Sequence, residues 1–390
     1  MGYRRCLRSC ISVIIEYETV KIVSIKNKKI GLIFRFIQLV ILSYVIGYVI
    51  VYKKGYQETE PGISAVISKV KGVSLTNRSF AGGETIWDVA DYVIPPQEEN
   101  AFFITSNALI TKKQTQGKCP EDKNTVGAQC KTNADCVPLE PIILGDGVKT
   151  GVCINNQTCE VYAWCPVESS AEDSKTVKLP LLNNVNNFTV YIKNNIEFRK
   201  FKVFRSNIPS NFNKSMLSSC RYSSSNTKCP IFQIGMILNL TGKSYDDILK
   251  TGGVISFSIN WDCNLDVSLE NCFPTYSFNR LDSDDIKLAK GWNFRHANYY
   301  YINETQYRDL IKAYGIRFVI SVSSKAGKFS IIPLTMNLGS GLALLAIATI
   351  ICDFIVLYIL RNRSKYIEAK YHLIDEEPYK FFGSESVNSD

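Results

Sequence analysis

Two long apolar runs constrain this chain more than any other feature. Residues 331–360 read IIPLTMNLGSGLALLAIATIICDFIVLYIL, and their one ionisable side chain is Asp353. About 20 apolar residues cross the hydrocarbon core of a bilayer as a helix, so the run predicts a transmembrane helix. A buried helix of a soluble protein is the alternative, but such helices rarely extend this far without a polar face.

The second apolar run covers residues 30–52 and reads IGLIFRFIQLVILSYVIGYVIVY. It is long for a signal peptide, and VYKKGYQ follows it in place of a small-residue cleavage site. We therefore interpret it as a retained transmembrane helix. Tyr44, Tyr48 and Tyr52 share one helical face, which suits either the membrane interface or packing against a neighbouring helix.

Two spans place both chain ends on the same side of the membrane. Seven Lys or Arg residues precede the first span, and three follow the second within five residues. This bias predicts cytoplasmic segments at 1–29 and 361–390, and it places residues 53–330 outside the cell or in a lumen. The basic residues are Arg4, Arg5, Arg8, Lys21, Lys26, Lys28 and Lys29, then Arg361, Arg363 and Lys365.

Cysteines and glycosylation sequons support this placement. Ten of the 13 cysteines lie in residues 53–330, and an even count in a non-cytosolic segment indicates disulfides. Six of the seven Asn-x-Ser/Thr sequons lie there too, as expected for a glycosylated ectodomain, whereas the seventh starts at Asn362 in the predicted cytoplasmic segment. The six start at Asn77, Asn156, Asn187, Asn213, Asn239 and Asn303.

The ectodomain is predicted to be mainly β-structure with a small disulfide-stapled subdomain. Residues 254–265 and 315–324 alternate apolar and polar side chains, as half-buried strands do. Six cysteines crowd residues 119–165, where fifteen pairings are possible. The two remaining pairs are local, each separated by nine residues: Cys220 with Cys229, and Cys263 with Cys272.

Enzyme chemistry finds little support in the sequence. The chain has only two histidines, His296 and His372, and no Cys-x-x-Cys pair, so we expect neither histidine catalysis nor a metal site. The TGKS stretch at 241–244 lacks the earlier glycine of a phosphate-binding loop. We therefore predict that the protein is not an enzyme.

Several motifs together resemble the P2X family of ATP-gated cation channels, across essentially the whole chain. The motifs are YETVK (17–21), SKVKG (68–72), IWDVADYV (86–93), NFT (187–189), NFR (293–295), LIKAYGIRF (310–318), GSGLALL (339–345) and YIEAK (366–370). The resemblance implies a plasma-membrane homotrimer or heterotrimer in which three second spans line a pore. It also implies the pairs Cys119–Cys165, Cys130–Cys153, Cys136–Cys159, Cys220–Cys229 and Cys263–Cys272.

The resemblance further implies that extracellular ATP binds between subunits as an agonist and is not hydrolysed, with no cofactor. The positions carried over are Lys69, Lys71, Thr189, Leu217, Ile231, Asn293, Phe294, Arg295 and Lys312. Phosphates attract Lys and Arg, and Lys69 and Lys71 would project together from a strand, ~7 Å apart. Taken alone, that pair is more typical of a solvated strand face.

The second span has one face suited to a pore. Met336, Ser340, Ala343 and Ile347 are spaced four, three and four residues apart, and Gly339 and Gly341 flank them. The resemblance adds Asn337 to this pore and gate set. Ordinary packing of small residues is the alternative.

Asp353 lies about 220° around the helix from Ser340, so it does not belong to the pore face. A lipid-facing carboxylate is costly, and Arg35 enters the first span at a similar depth. We predict that Arg35 and Asp353 interact.

Together these features predict an ATP-gated, non-selective cation channel that passes Na+, K+ and Ca2+. A membrane-anchored adhesion or scaffold ectodomain without a pore is the alternative, and an ecto-enzyme is a third possibility. Nucleic acid is not an expected partner, whereas membrane lipid is.

Overall fold

The computed structural model describes residues 27–78, 83–168, 182, 184–241, 245–282, 291–360 and 363–370. Most of the predicted cytoplasmic segments 1–29 and 361–390 therefore lie outside the described residues, as do YETVK (17–21) and most of TGKS (241–244). The chain forms two compact units, Met1–Glu58 with Phe329–Asp390, and Thr59–Lys328.

Both predicted spans are helices in the first unit. Helix α1 (Lys28–Ser43) continues as a π-helical segment (Tyr44–Tyr52), so the whole span is Lys28–Tyr52. The second span is Ile331–Ile359, and its α-helical part, Ile331–Phe354, likewise ends in a π-helical segment, Ile355–Ile359. Both are long and apolar enough to cross a bilayer.

The two spans pack through a small-residue face. Gly341, Ala348 and Cys352 are the buried residues of the second helix, and their spacing of seven and four keeps them on one side. A Cβ atom on Gly341 would lie 2.6 Å from Val45 Cγ1, which is closer than real atoms approach. Glycine at this position therefore allows the helices to meet.

The second unit is mainly β-structure, as predicted. Its strands include the two segments that alternate in the sequence, now within β11 and β14. The strands are β1 (Gln57–Pro61), β2 (Ile63–Lys71), β3 (Ser74–Arg78), β4 (Gly83–Trp87), β5 (Ala101–Pro120), β6 (Val148–Ile154), β7 (Thr158–Cys165), β8 (Thr189–Phe198), β9 (Val203–Ser206), β10 (Ile231–Gln233), β11 (Gly253–Asn264), β12 (Thr275–Arg280), β13 (Asn293–Ile302) and β14 (Thr305–Phe329).

Short helices connect these strands, and one more follows the second span. In chain order after α1, the helices are α2 (Val89–Tyr92), α3 (Lys214–Ser219), α4 (Ile234–Leu240), α5 (Tyr245–Thr251), α6 (Ile331–Phe354) and α7 (Arg363–Lys370).

The sheets enclose one main hydrophobic core. The larger sheet has the order β12-β11-β14-β5-β7-β6, with β13 also paired to β14, and the smaller has the order β10-β8-β2, with β9 paired to β8. Alternate residues of β11, such as Ile255, Phe257, Ile259 and Trp261, are buried. Their alternation with less buried neighbours is the pattern that predicted the strand.

Five disulfides staple the ectodomain. They are Cys119–Cys165, Cys130–Cys153, Cys136–Cys159, Cys220–Cys229 and Cys263–Cys272. These are the same five pairs that the family resemblance implies. Three of them hold residues 119–165, where the apolar clusters are small, so covalent links replace much of a core there.

Candidate functional site

Lys69 and Lys71 stand on the outward face of β2. Val70 between them is buried, whereas both lysines are exposed. Side chains alternate along a strand, so the burial of Val70 turns both ammonium groups outward. The structure therefore places the two lysines of SKVKG side by side on the surface.

Strands β8 and β10 extend this surface, because residues directly opposite on paired strands share a face. Strand β8 lies between β2 and β10. We call the resulting surface the lysine face. It consists of two cross-strand rows, Lys69–Tyr191–Ile231 and Lys71–Thr189–Gln233.

Two members of the lysine face, Tyr191 and Gln233, were not predicted from the sequence. Tyr191 lies between Lys69 and Ile231, and burial raises the pKa of its hydroxyl. Gln233 lies opposite Thr189, and its Nε2 is 3.5 Å from Asn187 Oδ1. The spacing of two residues from Thr189 could have indicated Tyr191, but only the strand register reveals Gln233.

A disulfide links the segment that contains Leu217 to the strand that carries Ile231. Leu217 lies in α3, three residues before Cys220. The Cys220–Cys229 disulfide joins this segment to the residues that enter β10 at Ile231. The covalent link restrains α3 beside the strand that carries Ile231.

A second cationic surface lies on the β13–β14 hairpin. Strand pairing sets Arg295 opposite Lys312 and Asn293 opposite Tyr314. We call these four residues, together with Glu168, the arginine face. Two cations directly opposite each other repel, so a counter-charge is needed to hold them there.

Glu168 supplies that counter-charge. Its carboxylate accepts hydrogen bonds from Arg295 Nε at 2.6 Å and Arg295 Nη2 at 3.0 Å, and Lys312 Nζ lies 3.3 Å away. Burial alone would raise the pKa of Glu168, but the hydrogen bonds and charges of Arg295 and Lys312 outweigh burial and lower it. The Glu168 side chain is only 8% exposed, whereas the Arg295 side chain is 52% exposed, so the carboxylate is buried while the guanidinium remains accessible to water.

Phe294 lies on the opposite face of β13 from its neighbours, and its predicted part in ATP binding stays a prediction. It alternates with Asn293 and Arg295, so its ring points to the other face of β13. There it packs edge-to-face on Phe103, with ring centroids 4.9 Å apart. Phe294 therefore supports the arginine face from below and does not line it.

The lysine face and the arginine face belong to different sheets. The first lies on the β10-β8-β2 sheet and the second on the sheet that contains β14. Four predicted phosphate-binding cations thus form two separate pairs within one chain.

The predicted pore face is exposed on the second span. Met336, Ser340, Ala343 and Ile347 are all exposed, and they avoid the side that packs on the first span. Asn337 is the exception, because its Nδ2 donates to Gly55 O at 2.7 Å. It therefore links the outer ends of the two spans within one chain.

The predicted contact between Arg35 and Asp353 is wrong. Arg35 Nη1 donates to Gln38 Oε1 on its own helix at 2.8 Å, and no ion pair joins it to Asp353 in the described segments. The prediction matched depth in the membrane but had no information on rotation about the helix axis. A nearer polar partner one turn away satisfies Arg35.

One cluster of possible metal ligands occurs among the described residues. The sulfurs of Cys130, Cys136 and Cys153 lie within 4.8 Å of one another. All three are in disulfides, so no thiolate is available to bind a metal.

The fold defines a class of protein: a two-span membrane protein with a large β-rich, disulfide-stapled extracellular domain. Comparison with known proteins gives the family. The family model described as "ATP P2X receptor" matches residues 15–373. The chain belongs to the P2X receptor family of ATP-gated channels.

Individual relatives agree with this assignment. The chain is 48% identical to P2X purinoceptor 4 of Bos taurus over 371 residues, covering 93% of this chain and 94% of the relative. It is 43% identical to P2X purinoceptor 5 of Homo sapiens over 379 residues, covering 95% and 84%.

Solved structures share the fold. A P2X receptor from the Gulf Coast tick, crystallised with ATP and Zn2+, has a TM-score of 0.77 at 44% identity, covering 83% of this chain and 100% of that one. The chicken ATP-gated P2X7 receptor channel, crystallised with the competitive antagonist TNP-ATP, has a TM-score of 0.71 at 34% identity, covering 83% and 98%.

Proposed function

We propose that three copies of this chain form a plasma-membrane cation channel that opens when extracellular ATP binds between neighbouring subunits. Family membership supports the gating ligand. The tick structure with ATP and the chicken structure with TNP-ATP show that relatives bind nucleotides.

The division of four cations into two pairs is the observation that carries this proposal. ATP brings about four negative charges, and Lys and Arg are the side chains that neutralise phosphates best. One chain presents Lys69 and Lys71 on one sheet and Arg295 and Lys312 on another. A nucleotide held between the lysine face of one copy and the arginine face of the next would meet all four.

Nucleotide binding would replace Glu168 as the partner of Arg295 and Lys312. The Glu168 carboxylate holds Arg295 and Lys312 together. A triphosphate presents more negative charge to the same two cations, so it displaces Glu168 as their partner. The carboxylate keeps the arginine face assembled until the nucleotide arrives.

Tyr191 is suited to hold the adenine base. Its ring stands between Lys69 and Ile231 on the lysine face, which gives an aromatic surface beside the phosphate-binding lysines. Bases stack on such rings with useful affinity. Thr189, Leu217 and Ile231 complete the surroundings that we assign to the base and sugar.

We assign the ion pathway to the exposed face of the second span. Met336, Ser340, Ala343 and Ile347 carry no charge, and the small members of the set allow three helices to approach closely. Asn337 borders this face while holding Gly55. Na+, K+ and Ca2+ are the ions we expect to pass.

The remaining assignments follow from the same topology. Both termini are cytoplasmic, residues 53–330 carry N-linked glycans at the six sequons, and heterotrimers with related subunits form where these are co-expressed. ATP acts as an agonist without hydrolysis, and no cofactor or metal takes part.

Whole-cell recording from cells that express only this chain tests the function. Application of ATP should evoke an inward current that reverses near 0 mV in symmetric cation solutions. An adhesion protein without a pore would give no current at normal surface density. An ecto-enzyme would instead release phosphate from ATP at the cell surface.

A further inference from the structure

A shallow cavity lies where strand β10 leads into helix α4, beside the lysine face. Its volume is about 530 Å³, and its lining residues are Asn186, Gln233, Gly235, Met236, Asn239 and Leu240. One of its lining residues, Gln233, also belongs to the lysine face. Volumes of this size suit a small organic ligand.

Part of the cavity lining is polar. Asn186 and Gln233 contribute amide side chains to it, but the Oδ1 atom of Asn186 is buried and does not face the cavity.

Another part of the lining is apolar and open. Leu240 is 58% exposed although it belongs to a helix whose neighbours Ile237 and Leu238 are buried. Met236 is only partly buried. A Cβ atom on Gly235 would lie 3.0 Å from Asn186 O, so glycine keeps the floor of the cavity open.

The cavity also contains a glycosylation acceptor. Asn239 lines it, is exposed, and begins the sequon Asn239–Leu240–Thr241. An N-acetylglucosamine residue has an apolar ring face, which matches the exposed side chain of Leu240. A sugar attached to Asn239 is tethered at the cavity, so its effective concentration there is high.

We propose that the N-linked glycan on Asn239 folds back into this cavity. Its first N-acetylglucosamine packs on Leu240 and Met236. Attachment transfers the oligosaccharide from a lipid-diphosphate donor: the Asn239 amide nitrogen bonds to C1 of the sugar and loses one proton, and the lipid diphosphate leaves. This inference depends on the extracellular placement of the ectodomain and not on ATP binding.

Asn303 provides a matched control. Its sequon sits at the turn between β13 and β14, where Asn303 is exposed and has a positive φ of 45°. It is not among the residues that line the cavity beside α4. A glycan on Asn303 projects into solvent from a hairpin tip.

Glycopeptide mass spectrometry of full-length, surface-biotinylated protein tests the proposal. A glycan core held in a cavity is shielded from trimming enzymes, so Asn239 should be occupied and carry mainly oligomannose forms. Asn303 should carry mainly processed, complex forms. An unoccupied Asn239, or one processed to the same degree as Asn303, would overturn the proposal.

The variant Leu240→Ser separates packing in the cavity from shielding by other parts of the assembly. It preserves the sequon as Asn-Ser-Thr and alters an exposed side chain, so the fold should tolerate it. We expect the Asn239 glycan to shift towards complex forms, while the Asn303 glycan stays unchanged. An unchanged Asn239 glycan in this variant would show that the cavity does not hold the sugar.

Discussion

Tyr191 offers a direct test of the adenine assignment. Tyr191→Ala removes the ring between Lys69 and Ile231 and should raise the half-maximal ATP concentration. A base–aromatic stack contributes about 1–3 kcal/mol, which corresponds to roughly five- to a hundredfold. Tyr191→Phe keeps the ring and should respond as the wild type does in concentration–response recordings. Equal impairment of both variants would show that the hydroxyl, and not the ring, matters.

The residues of the lysine face show how far a single sequence leads. The alternation around Val70 predicted that Lys69 and Lys71 point the same way, because this depends only on neighbours along one strand. Gln233 could not be found, because its place beside Thr189 depends on the register between β10 and β8. Glu168 was missed for a similar reason, since 127 residues separate it from Arg295.

His296 should make the stability of the ectodomain depend on acidity. Burial lowers the pKa of His296 below its ordinary value, and its Nδ1 has no partner among the described residues. As pH falls below about 6.5, the unfolded chain binds a proton that the folded chain resists, so stability is lost. The fall in melting temperature of the purified protein between pH 7.5 and 5.5 should be smaller in His296→Phe.

His372 is present in both the wild type and His296→Phe, so its contribution to the pH dependence of the melting temperature is the same in both proteins. The two melting temperatures should converge as the pH drops if His296→Phe is less stable at neutral pH, or diverge if it is more stable. Identical slopes against pH would mean that His296 does not titrate differently on unfolding.

The contact between the two spans depends on one glycine. Gly341→Ala places a methyl group against Val45, and overpacking of this kind costs about 1–3 kcal/mol. We expect a lower melting temperature and less protein at the cell surface. Gly339→Ala is the control, because a Cβ atom there has nothing within 4 Å. Val45→Ala should partly rescue Gly341→Ala, and failure of this rescue would place the effect elsewhere.

The spans also show which features of a helix the sequence determines. Apolar length alone predicted 30–52 and 331–360, and the observed spans are Lys28–Tyr52 and Ile331–Ile359. Depth alone did not predict the partner of Arg35, because the direction of a side chain around the axis depends on how the helices pack. The buried positions Gly341, Ala348 and Cys352 reveal that packing only once the structure is known.

The three disulfide pairings within residues 119–165 were predicted from the family resemblance, because the sequence spacing does not determine them. Six cysteines in residues 119–165 allow fifteen pairings, and no local rule selects among them. In the structure, β5 and β7 are paired so that Cys119 lies opposite Val161 while its sulfur reaches Cys165. The pairing therefore depends on a sheet whose strands are distant in sequence.

Lys71→Ala tests the lysine face in the assembled protein. A charge-assisted contact to phosphate contributes about 1.5–3 kcal/mol, so the half-maximal ATP concentration should rise roughly ten- to a hundredfold, or further if Lys71 makes several contacts. Lys112→Ala, at an exposed lysine of β5, should leave it unchanged. Surface labelling must show equal delivery of both variants. A Lys71→Ala protein with wild-type ATP sensitivity would remove the lysine face from the site.

Co-expression of two defective chains tests whether the site is shared between subunits. Lys71→Ala damages the lysine face and Arg295→Ala the arginine face, so each alone should respond weakly to ATP. In mixed trimers, the intact lysine face of an Arg295→Ala chain can meet the intact arginine face of a Lys71→Ala chain. Some interfaces then carry no defect, and currents at moderate ATP should exceed those of either variant alone. If both faces served one site within a single chain, every site in the mixture would stay defective and co-expression would restore nothing.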